Sequence, residues 1–133
     1  MFLVVAVFNK ENLQNVVEDL RKNHIEGITI VDVYGMGNIG FSEHGQKADF
    51  YPKVKIEIVV SNAKIRETAM ECIRSNCQDL GHGAGKIWWL NVGGVERIRT
   101  GEKDDDALTT QIDKKIKNVM DDSCFHMTDT PCS

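Results

Sequence analysis

The sequence predicts an α+β fold in which strand, helix and strand alternate as β-α-β-β-α-β. Two observations predict it. Apolar residues recur with the two-residue period of strands and the 3.6-residue period of helices in that order. The 11 glycines, moreover, fall in two windows, five within residues 27–45 and six within residues 81–101, where neither period survives. At 133 residues the chain is long enough for one ordinary domain and one core.

Residues 2–8, Phe-Leu-Val-Val-Ala-Val-Phe, are continuously apolar and suit a strand covered on both faces. Leu13, Val16, Val17 and Leu20 then fall at i, i+3, i+4 and i+7, one stripe of an amphipathic helix with Asn9 or Asn12 as its cap. After Gly27, residues 28–34 are dense in β-branched side chains and read as a second strand. From Gly35 to Tyr51 the period is lost, and the stretch reads as a loop of unusual length, a feature that often accompanies function. Past Pro52, Lys53, Lys55 and Glu57 alternate with Val54, Ile56 and Ile58, predicting a third strand with one wet face. Ser61 or Asn62 caps a second helix with the stripe Ile65, Ala69, Cys72 and Ile73. Lys86 to Val92 form a fourth strand, and Val95 to Thr100 a short fifth. This order is that of the ferredoxin-like split βαβ unit. The body ends near residue 108. Residues 109–133 form an extension in which Ile112, Ile116 and Val119 allow one more short helix before a tail.

The 16 basic and 20 acidic residues give a net charge of −4. Residues 1–101 hold 12 of each sign, so the whole imbalance belongs to residues 102–133, with 4 basic and 8 acidic. A nucleic-acid binder is expected to carry a basic excess, and its absence argues against one. No apolar run approaches the ~20 residues that span a bilayer, so direct membrane insertion is not expected. Residues 1–8 lack the basic start of a signal peptide. Four cysteines are too few for a disulfide scaffold, and the expected location is the cytoplasm.

Chemistry concentrates in the second glycine window. In Gly81-His82-Gly83-Ala84-Gly85-Lys86, successive backbone N–H groups suit a concave nest for phosphate oxygens, with Lys86 adding a point charge. A plain helix-to-strand turn explains the same glycines. Leu80 and Ile87 rule out a Walker A loop, and the segment follows a helix rather than a strand, unlike a dinucleotide fingerprint. Arg97 and Arg99, two apart in an extended segment, would share a face and invite an anion. Alternatively, they pair with Glu96, Glu102 or other carboxylates as a solvated edge. No paired carboxylates, Gly-x-Ser-x-Gly or His-Glu-x-x-His appears, and His24, His44, His82 and His126 are scattered. An enzyme is not expected. His24 reads as a dipole partner at a helix end, and Cys72 as a small core residue. Cys124, His126 and Cys132 offer a redox pair or soft-metal ligands, although their spacing is not that of a standard zinc site, and exposed thiols with no role explain the same cysteines.

Several segments together resemble the PII signalling proteins: residues 27–37, residues 50–60, Gly85-Lys86-Ile87 and residues 95–102. The resemblance covers about residues 1–108 in the correct order. It implies a homotrimer of ferredoxin-like subunits that binds ATP or ADP, and AMP by extension, in the clefts between them. Gly83, Ala84, Gly85 and Lys86 would be the phosphate-binding B-loop, and Arg97 and Arg99 would contact phosphates. Thr29, Gly35, Met36, Gly37, Asn38, Lys53 and Val59 would surround the nucleotide. Residues 37–51 would be the T-loop, offering Ile39, Gly40, Phe41, Ser42, Glu43, His44 and Gly45 to a membrane transporter or other target.

The departures from the family pattern are specific. The T-loop is about five residues short of the usual one, and its uridylylated tyrosine has no counterpart, because Tyr51 lies at the strand base. Asn38-Ile39 replaces the usual Arg-Gln pair, and Ala84 the usual Asp. These changes resemble PII-like proteins of bicarbonate transport and carboxysomes, some of which answer to nucleotide plus bicarbonate and carry a C-terminal cysteine loop. The expectation is a non-catalytic nucleotide sensor acting on an inorganic-carbon transporter. The alternatives are a nitrogen regulator of an ammonium channel, or a metal-binding stress protein on the same scaffold.

Overall fold

The structure is a computed structural model and describes residues 1–36, 50–78 and 84–109. Strand β1 (Phe2–Asn9) leads through a 3-10 turn (Lys10–Asn12) into helix α1 (Leu13–Lys22). Then come β2 (Ile28–Gly35), β3 (Tyr51–Val60), α2 (Ala63–Asn76), β4 (Gly85–Asn91) and a four-residue helix α3 (Asp105–Leu108). The strands form one antiparallel sheet in the order β2-β3-β1-β4. This is the ferredoxin-like arrangement that the order of elements predicts.

Both helices cover one face of that sheet. Val4, Ala6 and Phe8 of β1 oppose Ile58, Ile56 and Val54 of β3, and all six are buried under Val16 and Leu20 of α1 and Ala69, Cys72 and Ile73 of α2. Alternation along a strand sends the intervening residues to the other face. Leu3, Val5 and Val7, Val31 and Val33, Val59, and Trp88 and Leu90 therefore share an open face that no helix among the described residues covers. On it Val31, Trp88 and Leu90 are exposed, at 45%, 42% and 48%.

The helix ends follow local chemistry. Asn62 accepts a hydrogen bond from the Ile65 amide at 2.9 Å, capping α2 as its sequence suggests. Neither Asn9 nor Asn12 makes a side-chain cap, contrary to expectation, because the 3-10 turn runs directly into α1 and the Leu13 amide bonds to the Lys10 carbonyl. At the far end of α1, the His24 and Ile25 amides donate to the Arg21 and Leu20 carbonyls at 3.0 and 2.9 Å. His24 has φ of +60°, so this is a Schellman ending in which histidine takes the left-handed position usually given to glycine. The buried Ile25 then seals the turn.

Two further contacts tie the layers together. Asn76 Nδ2 donates to Asp19 Oδ2 at 2.6 Å and joins α2 to α1. The Arg66 guanidinium lies 4.5 Å from the Phe2 ring centre and 4.1 Å from that of Trp89, and the two rings meet edge to face at 5.2 Å. The expected fifth strand is absent. Glu96 and Lys103 form a single antiparallel bridge, and residues 98–100 turn between them. Gly101, at φ +72°, closes that turn and ends the extension. Helix α3 lies in the acidic Asp104-Asp105-Asp106 stretch, where no helix is expected. The helix expected around Ile112 to Val119 lies outside the described residues.

The Arg66 stack pins α2 to both β1 and β4. Arg66→Ala is expected to cost about 1–2 kcal/mol, from lost cation–π attraction and lost packing. Urea unfolding of both proteins at one fixed protein concentration checks this, and an unchanged midpoint would contradict it.

Candidate functional site

The sheet divides the predicted site residues into two groups. At one end, Gly35 closes the β2–β3 ladder opposite Tyr51, and Lys53 pairs in register with Val33 on one side and Asn9 on the other. Gly85 and Lys86 pair with Phe8 and Val7 of β1, so they lie at this same end. Met36 follows β2 here and is 64% exposed. At the opposite end, Thr29 pairs with Glu57, and Val59 sits six residues beyond Lys53, about 20 Å further along the strand at the usual rise. Arg97 belongs with this second group. It lines a groove of about 440 Å³ together with Gly27, Val59, Val95 and Leu108. Gly37, Asn38 and Gly83, the residues from Ile39 through Gly40, Phe41, Ser42, Glu43 and His44 to Gly45, and Cys124, His126 and Cys132 lie outside the described residues.

Lys53 departs from the sequence expectation. The alternation predicts a wet position, but Lys53 is only 8% exposed, the one buried charged residue among the described ones. Two neighbours explain this. Gly35 has no Cβ, and one placed there would stand 3.2 Å from Lys53 Cγ, so the glycine lets the lysine stem lie across the sheet. Asn9 Oδ1 then accepts a hydrogen bond from Lys53 Nζ. Lysine is thus fixed where the long loop leaves the sheet. Asn9 carries no motif, and only its register position opposite Lys53 marks it. Lys55, next on the same face, keeps its surface character and pairs with Glu57 at 3.4 Å.

Gly85 is a packing requirement as much as a loop residue. Its φ is +123°, and a Cβ would fall 2.1 Å from the Val7 carbonyl oxygen and 2.9 Å from Phe8 Cα. The chain enters β4 only because this residue is glycine, and that entry brings the exposed Lys86 onto the open face. Ala84, just before it, is half-buried.

Arg97 and Arg99 are not the side-by-side pair expected from an extended segment. Arg99 sits on the turn and is exposed. The Arg97 guanidinium folds back, its Nη1 donating to Glu102 Oε1 at 3.2 Å and its Nη2 to the carbonyls of Ala107 at 2.9 Å and Thr109 at 2.6 Å. The pairing with Glu102 is one of the two arrangements open from the sequence. The two carbonyls have no sequence signal, because they depend on α3. Cys72 is buried between the helices as its stripe predicts, with Asn23 Nδ2 donating to its sulfur at 3.4 Å. Burial pushes its thiol pKa up, and the Asp19 and Glu71 charges add to the shift. No group of three or more His, Cys, Asp or Glu among the described residues is placed to hold a metal. No helix among them is long and apolar enough to cross a membrane.

A family model described as nitrogen regulatory protein P-II matches residues 1–102. The chain is 41% identical over 108 residues to a nitrogen regulatory protein P-II of Klebsiella oxytoca, covering 77% of this chain and 96% of that protein. The same figures hold for nitrogen regulatory protein P-II 1 of Escherichia coli strain K12. Over 110 residues it is 36% identical to nitrogen regulatory protein P-II 1 of Methanothermobacter thermautotrophicus, covering 79% of this chain and 95% of that protein.

Gly85→Ala is expected to lose about 2 kcal/mol or more, since the added methyl meets backbone and the φ is strained. Urea unfolding reads the loss. A variant as stable as the parent would show that β4 can move away from β1.

Proposed function

Because this chain belongs to the nitrogen regulatory P-II family, we propose that it is a trimeric sensor of ATP and ADP that controls a membrane transporter. As a member of that family it is a regulatory protein and not an enzyme. The observation that carries the nucleotide reading is the division of the predicted contacts between two ends of one sheet. Gly35, Lys53, Gly85 and Lys86 lie at one end, and Thr29, Val59 and Arg97 at the other. A ligand that engages both groups is better enclosed between two copies than within one. The open apolar face, with Val5, Val31, Trp88 and Leu90, gives copies a reason to associate.

In that assembly Lys86 and the arginines would neutralise phosphate, Lys86 as a point charge and each guanidinium as a two-pronged donor. Nucleotide identity would act on the loop rooted at Gly35 and Tyr51. A ligand shifts such an equilibrium only by its difference in affinity between loop states.

Inorganic carbon is the transporter cargo we favour. The support is in the sequence: Asn38-Ile39 stands where 2-oxoglutarate sensors of the family carry Arg-Gln, the loop is short, and its modifiable tyrosine is missing. The names of the relatives support the second reading, a nitrogen regulator acting on an ammonium channel.

Titration calorimetry with ATP, ADP and AMP, each with and without bicarbonate and with and without 2-oxoglutarate, tests these readings. Nucleotide binding that bicarbonate strengthens and 2-oxoglutarate leaves unchanged is the expected result. A 2-oxoglutarate effect would favour nitrogen control, and no binding at millimolar nucleotide would end the sensor reading. Lys86→Ala is expected to weaken ATP binding about tenfold or more, the scale of a lost charge-assisted hydrogen bond. Unchanged affinity would remove Lys86 from the site.

A further inference from the structure

The Arg97 guanidinium already serves three acceptors of its own chain, the Glu102 carboxylate and the carbonyls of Ala107 and Thr109. All three lie in residues 102–109, where the stretch that carries the chain's whole net negative charge begins. Guanidinium donors point in a fixed fork. Three of the five N–H donors of Arg97 are taken in this way, so a phosphate oxygen that takes either Nη2 hydrogen displaces the Ala107 or Thr109 carbonyl.

The attachments of this stretch are of two kinds. The bridge between Glu96 and Lys103 holds itself. The Asp104 amide donates to the Val95 carbonyl at 2.8 Å, and the Arg97 amide to the Glu102 carbonyl at 2.8 Å. The turn 105–109 is different. Its amide bonds are internal, from Leu108 to the Asp104 carbonyl and from Thr109 to the Asp105 carbonyl. Among the described residues, what joins it to the body by hydrogen bonds is the Arg97 fork, supplemented by the half-buried Ala107 and Leu108 along the groove wall. Glu102 has a second partner, because Thr100 Oγ1 donates to Glu102 Oε1 at 2.8 Å, so losing Arg97 does not strand its carboxylate.

We propose that residues 105–109 form a latch on Arg97 that phosphate opens, so that phosphate occupancy and the anchoring of the C-terminal segment compete. The proposal rests on the nucleotide reading above and adds a regulation to that site. Coupling of this kind is reciprocal: whatever tightens the C-terminal segment onto the body weakens the ligand by the same factor.

Hydrogen exchange on the full chain, with and without ATP, ADP or inorganic tripolyphosphate, tests it, with calorimetry reporting occupancy. Saturation is expected to speed exchange of the Leu108 and Thr109 amides by about tenfold, as local opening does, and to leave the Arg97 and Asp104 amides unchanged. Glu102→Gln is expected to bind tripolyphosphate about two- to fivefold more tightly, the scale of a part-exposed ion pair. Unchanged or slower exchange at 108–109 under confirmed occupancy overturns the latch, and so does weaker binding by Glu102→Gln. Opening by tripolyphosphate without any binding of ATP or ADP upholds the latch and overturns the nucleotide reading. No binding of any of the three overturns both.

Discussion

Strand β1 is paired on both sides, to β3 through residues 2–9 and to β4 through residues 2–8. It is also the strand whose Val4, Val5, Ala6 and Phe8 are buried. A slip of one residue against β3 would carry Val54, Ile56 and Ile58 to the open face and put Lys55 and Glu57 into the core. That cost fixes the register, and the register in turn places the candidate site residues on this sheet. Lys53 falls opposite Asn9, Gly35 closes the hairpin beside it, and the entry to β4 has to cross the Val7 and Phe8 backbone where only glycine fits.

The parts of this fold that are legible in the sequence are those where one residue's periodicity decides its face. The stripe Val16 and Leu20, the α2 stripe with its Asn62 cap, and the alternation of β3 are of this kind. Lys53 escapes because its burial depends on what β2 lacks at Gly35, a relation between strands that no single strand displays. The Val95–Thr100 segment escapes for the opposite reason. Its residues suit a strand, but Gly101 and the Glu102–Arg97 contacts close a turn before a second bridge forms. The candidate site is read from the sequence as a set of residue types, glycines with Lys86 and two arginines. The positions of Arg97 and Arg99 are not, because α3 is a four-residue helix whose only signal is an acidic run.

The two ends of the sheet are held by different kinds of contact. β2 ends and β3 begins at a closed ladder, Gly35 opposite Tyr51, beside the buried Lys53. At the other end of the sheet, backbone bonds hold residues 92–104, and the Arg97 guanidinium donates to the Ala107 and Thr109 carbonyls of the turn 105–109. Each of those bonds is weaker than a sheet ladder. A regulator needs both: a frame that does not yield, and contacts close enough in energy for a small ligand to choose between them.

The two tryptophans are neighbours in sequence and report on different surfaces. Trp89 faces the helices, where Phe2 and Arg66 hold it. Trp88 faces the open side of the sheet and is 42% exposed. Both are equally exposed, but on opposite faces of one strand, so a Trp88→Phe and a Trp89→Phe variant would divide their fluorescence between the two faces. The Trp89 component follows the docking of α2, and the Trp88 component follows whatever excludes water from the bare face of the sheet.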